Sequence, residues 1–137
     1  MGLILDSSVA IAAERRGDTV EHLIQRVIDA TGDQDAALSA VGVAELVHGI
    51  YRAETVERRT RRESFVEELL SVVTVYPLTT EAARLAGRLD AEQQSRGVVI
   101  PFADLLIGAT ALSLGYSVVT VNVRHFRQIP GLPVTQL

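Results

Sequence analysis

Asp104 is the only charged side chain in the 27 residues from Gly97 to Val123, GVVIPFADLLIGATALSLGYSVVTVNV. An ionised carboxylate among so many apolar neighbours is costly unless a basic side chain, a helix N-terminus or a cation compensates it. Two further acids stand where local structure changes. Asp6 closes the apolar run Leu3-Ile4-Leu5, and Glu45 lies early in the helical pattern that begins at Gly42. With the polar edge Thr120 to Asn122 they form an oxygen-only set, without histidine or cysteine. Such donors suit hard cations, magnesium or manganese. Three unpaired carboxylates would repel one another. A divalent ion removes that cost, lowers the pKa of a bound water and stabilises the leaving oxygen of a phosphodiester displacement. A plainer reading stays open for Glu45 and Asp104, because acids in a first helical turn also complement the helix dipole.

The elements that must position these groups are read from apolar spacing. Leu3-Ile4-Leu5 predicts a short buried strand, with Ser7 or Ser8 capping a helix from Val9. That order places Asp6 at the carboxyl edge of a parallel sheet, where ligands bind in open α/β folds. Val20, Leu23, Ile24, Val27 and Ile28 predict an amphipathic helix over Thr19 to Ala30, and residues 31–35 a turn. Ala36 to Val41 is a weak strand. Val43, Leu46, Val47 and Ile50 make one face of the next helix, and Phe65, Leu69 and Leu70 point inward from another over Ala53 to Val72. A strand over Ser71 to Tyr76 ends at Pro77, and Thr79 starts a helix running to about Ser95. Pro101 suits a first helical turn, Leu105, Leu106, Ala109 and Leu112 recur at helical spacing, and Gly115 fits the stop. Val118 to Val121 is a buried parallel strand, and the chain finishes on an edge strand. Strands alternating with helices indicate a three-layer α/β/α domain with a mainly parallel sheet of about five strands.

At 137 residues the chain fits one domain, residues 1–137, and its 47% apolar content indicates a globular protein. The absence of cysteine excludes disulfides, zinc–thiolate sites and thiol nucleophiles. Pro101, Asp104, Gly108 and Gly115 interrupt the apolar stretch too often for a membrane span. The N-terminus lacks a basic n-region, so the protein is expected in the cytoplasm. A formal charge of −4 argues against coating nucleic acid by bulk electrostatics, not against local contact with it. The segment Glu57 to Glu63, with Arg58, Arg59, Arg61 and Arg62, reads either as a phosphate-binding patch or as a solvated face. The second reading laces it with Glu54–Arg58, Glu57–Arg61 and Arg59–Glu63 pairs.

Other motifs are thin. Glu45-Leu46-Val47-His48 is a single E-x-x-H unit, whereas di-iron bundles need two, so His48 reads as a helix-face residue. Ser7 or Ser8 with His125 has no triad spacing to support it. An aspartyl-phosphate enzyme built on Asp6 would want a second acid where Ser8 stands, and a lysine, which the chain lacks.

The segments LILDSSV, SAVGVAEL, IPFADLLIGATAL and VVTVNVRHFRQIPGLPV, in that order over the whole chain, resemble the PIN domain. More narrowly they resemble the VapC ribonuclease toxins of type II toxin–antitoxin systems. The resemblance implies a magnesium-dependent endoribonuclease, with Asp6 and Asp104 as principal metal ligands and Glu45 as third acid. Asn122 stands where a fourth acid is often found, Thr120 matches a supporting hydroxyl, and Ser8 a polar position behind the ligands. It implies RNA as substrate, a homodimer, and a cognate antitoxin gripped by the helical pair over Val43 to Leu70. The contrasting expectation, from Asn122 and the negative charge, is a PIN-like module that binds RNA or protein without cutting.

Overall fold

The computed structural model describes residues 2–32 and 34–137; Asp33, within the turn expected over residues 31–35, lies outside them. The order is β1 (Gly2–Leu5), α1 (Ser7–Arg16), α2 (Val20–Thr31), β2 (Asp35–Ser39), α3 (Ala40–Tyr51), α4 (Val56–Val72) and β3 (Thr74–Tyr76). Then follow α5 (Thr80–Ser95), α6 (Phe102–Leu114), β4 (Ser117–Thr120), α7 (Val123–Phe126) and β5 (Val134–Gln136). The strands form one sheet in the order β3-β2-β1-β4-β5. Every neighbouring pair is parallel, with Ile4 opposite both Ala37 and Val118.

The side-chain alternation of a strand divides the core into two layers. Leu3, Leu5, Leu38 and Val119 pack on one face, beneath α1, α2, α3 and α4. Ile4, Ala37 and Val118 pack on the other, beneath α5, α6 and Phe126 of α7. This is the three-layer α/β/α architecture with a five-stranded parallel sheet that the alternation of elements predicts.

Order reverses at β1. The chain builds outward to β2 and β3 on one side, then returns to add β4 and β5 on the other. The carboxyl ends of β1 and β4 therefore flank a topological switch point, where an open α/β sheet leaves a crevice for a ligand. Asp6 and Thr120 stand at those two ends.

Several boundaries differ from the sequence pattern. α1 begins at Ser7 with Asp6 in the cap position, so neither serine caps it. α4 runs through Ser71 and Val72, leaving β3 three residues at the sheet edge. Pro101 is the cap residue of α6, and its carbonyl accepts from Leu105 N at 3.1 Å. Gly115, at φ +70°, ends α6 in a left-handed conformation that a Cβ would strain, and turns the chain straight into β4.

Candidate active site

The hydroxyls around Asp6 order the centre of the crevice. Ser8 Oγ and Thr120 Oγ1 both donate to Asp6 Oδ2, at 2.6 and 2.9 Å. The backbone N–H groups of Val121 and Asn122 donate in turn to these two hydroxyl oxygens, at 3.4 and 3.0 Å. Each hydroxyl thus has its acceptor side occupied by backbone and its proton directed at one carboxylate oxygen. Asp6 is 5% exposed and Thr120 fully buried, so the arrangement is held rigidly. Among the described residues no hydrogen bond reaches Asp6 Oδ1, which leaves that oxygen for a ligand.

Glu45 comes from α3, whose start is fixed by Ser39 Oγ accepting from Gly42 N at 2.9 Å. Ser7 Oγ donates to Glu45 Oε1 at 2.9 Å. Burial raises the Glu45 pKa above its ordinary value against the opposing Ser7 hydrogen bond, and the charges of Asp6 and Asp104 raise it further. Asp104 lies in the first turn of α6. His125 Nδ1–H, from α7, donates to its Oδ2 at 2.9 Å. Burial again raises the pKa; the His125 bond opposes this, and the Asp6 charge adds to it. The three acids, distant in sequence, are close enough for their charges to act on one another.

As these side chains lie, Glu45 is drawn towards Ser7 and Asp104 towards His125. Among the described residues no three acidic or histidine side chains are gathered tightly enough to hold an ion. Asn122 occupies the same edge but is exposed, and its backbone rather than its amide makes the recorded contact. The donor chemistry nonetheless fits a hard cation: hydroxyl-fixed Asp6, and two further carboxylates whose pKa values are raised first by burial and then by neighbouring negative charge, both of which a positive charge would offset.

Two residues take roles that spacing did not reveal. Ser7 holds Glu45, and His125 holds Asp104. The signal available for His125 was its place in the turn after β4, whose carboxyl end faces the same crevice. The triad reading of these residues fails, since both serine hydroxyls and the imidazole are directed at carboxylates. His48 is exposed on α3.

Comparison with known proteins agrees with this fold. The chain matches the PIN domain over residues 3–132. It is 31% identical over 134 residues to Ribonuclease VapC1 of Rickettsia felis, covering 98% of this chain and 95% of that one. The DNA-bound VapBC structure from Salmonella typhimurium superposes with TM-score 0.82 at 27% identity, over 99% of this chain and 98% of that one. A VapBC2 structure from Rickettsia felis, bound to a DNA fragment from its promoter, shares the fold with TM-score 0.86 at 21% identity, over 100% and 99% of the two chains. The chain belongs to the PIN-domain family, in the branch of the VapC proteins.

Proposed function

We propose that the protein is a metal-dependent endoribonuclease, the toxin of a type II toxin–antitoxin pair, acting through Asp6, Glu45 and Asp104. The observation that carries this reading is Asp6, locked by two hydroxyls at the switch point of a PIN-domain fold, with Glu45 and Asp104 near enough for its charge to act on both. The ribonuclease relatives and the VapBC complexes support the substrate class and a cognate antitoxin as partner. A homodimer and a cytoplasmic location belong to the same reading.

Asp6, Glu45 and Asp104 would hold the ion, magnesium with manganese as substitute, and Asn122 would reach it as a neutral fourth donor. Bound there, a divalent ion supplies an acidified water and charge stabilisation at the leaving oxygen. Ser8 and Thr120 fix one Asp6 oxygen and present the other. Ser7 occupies Glu45 Oε1, leaving Oε2 as the oxygen that would face the ion and its bound water. His125 orients Asp104 until a ligand competes for it.

The test is cleavage of a mixed RNA pool by antitoxin-free protein with magnesium, with manganese and with chelator. Cleavage should require metal, and Asp6→Asn and Asp104→Asn should each reduce it at least about 100-fold while the fold melts normally. If RNA is bound but never cut and magnesium leaves melting unchanged, the non-cleaving binding module is the correct description.

A further inference from the structure

One stripe of α1 leads away from the carboxylates. Ser7, Ala10 and Ile11, then Glu14 and Arg15, recur at i, i+3/i+4 and i+7/i+8, so they share a face. Ser7 is bonded to Glu45; Ala10 and Ile11 line a small apolar groove against α3 and α4. At the far end the stripe opens on a cavity of about 500 Å³ lined by Arg15, Arg16, Arg58, Arg61 and Arg62, with Glu14 the one acid. Five of the chain's 13 basic residues are thus gathered at one place, in a protein whose net charge is −4. The salt bridges expected from the sequence do not neutralise them. Glu54–Arg58, Glu57–Arg61 and Arg59–Glu63 are absent among the described residues. Arg62 Nη1 instead donates to Gly49 O at 2.7 Å, and Arg16 pairs with Asp18 at 2.9 Å. Arg15, Arg58 and Arg61 are exposed and have no ionic partner among the described residues.

We infer that this arginine pocket is a phosphate-binding subsite for the backbone of single-stranded RNA, anchoring the substrate away from the cleavage site. The inference rests on the endoribonuclease reading. Without an ion the three carboxylates repel a phosphodiester, and with one they hold only the reacting phosphate, so a separate cationic footing strengthens the grip on the rest of the strand. The ten residues of α1 span about 15 Å, so the pocket lies within reach of the same RNA strand as the carboxylates. Guanidinium forks match phosphate oxygens. The apolar groove at Ala10 and Ile11 adjoins the cavity, but the cavity's own wall carries five guanidinium groups and no apolar side chain, the chemistry of a phosphate backbone.

Arg58→Gln/Arg61→Gln tests this, because both side chains are exposed and neither belongs to the carboxylate site. Binding of a labelled single-stranded RNA of roughly a dozen nucleotides is followed in chelator across a salt series. The variant should lose affinity several-fold near 0.1 M salt, with a log–log salt slope shallower by about 1.4, some 0.7 for each lost phosphate contact. With metal restored, KM should rise by a similar factor and kcat stay as in the parent. Arg58→Lys/Arg61→Lys should keep most of the slope. An unchanged slope and affinity in a normally melting Gln variant overturn the subsite, as does weakened binding of polyglutamate alone, which would make the pocket protein-facing. A parent that binds RNA with the expected slope but never cuts it refutes the nuclease reading and leaves the subsite standing; a parent that binds none refutes the subsite.

Discussion

Glu45 carries opposing influences that a single substitution separates. Burial and the Asp6 and Asp104 charges disfavour its ionised form, while Ser7 favours it. With a folded-state pKa above its unfolded value, the group binds its proton more tightly in the native protein. Its ionisation therefore costs stability as pH rises through the folded pKa, and protonation restores that stability as pH falls; Asp104 acts in the same direction. Glu45→Gln keeps an acceptor for Ser7 and removes the charge. In chelator its melting temperature should match the parent near pH 4 and exceed it by a few degrees near pH 7. Parallel curves would show that burial and the neighbouring acids do not raise Glu45 in the folded protein. Such couplings were only partly legible beforehand. Asp6 and Asp104 stood out because a carboxylate beside an apolar run demands compensation. Their partners Ser7 and His125 did not, because only the folded chain brings α1 to α3 and α7 to α6.

Among the elements, the α3–α4 pair shows where apolar periodicity stops informing. Leu46, Ile50, Phe65 and Leu69 are buried as their spacing predicts, whereas Val47 on the expected inner face is 38% exposed. What fastens α4 to α3 is not a ladder of ion pairs along one helix. Besides the apolar core they share, the polar fastening is Arg62 reaching the Gly49 carbonyl, with Arg59 over the Tyr51 ring at 5.4 Å. Helical i,i+4 spacing could not reveal either contact, because both join residues of different helices. Arg62→Ala should cost roughly 1–2 kcal/mol in denaturant melts, since it strips a charged donor from a half-buried carbonyl. Arg58→Ala, on the same helix but exposed, should cost almost nothing. Equal losses would mean that helix propensity rather than the cross-helix bond is being measured. The strands show the same limit: β3 is three residues at the sheet edge, too short for alternation to distinguish it from the end of α4.

At the scale of the whole molecule, sheet order decides that there is a site at all. The alternation of elements indicated a parallel sheet, but no local pattern states that β1 lies between β2 and β4. That placement makes the crevice, and it brings Asp6, just after β1, together with Glu45 of α3 and Asp104 of α6 in surroundings where burial and mutual repulsion oppose their ionisation. Stability of the entire domain is consequently linked to any cation they bind. At 100 times its dissociation constant, a ligand of the native state alone adds about 2.7 kcal/mol, or roughly 10 °C for a domain of this size. Magnesium should therefore raise the melting temperature of the parent and do so far less for Asp6→Asn and Asp104→Asn. It should also shrink the stabilisation that Glu45→Gln shows at neutral pH, because cation and substitution offset the same partly buried charge and their effects cannot add. Additive effects in a thermal melt would place the cation elsewhere on the protein. A shared, saturating effect would locate it among Asp6, Glu45 and Asp104 without recourse to any measurement of cleavage.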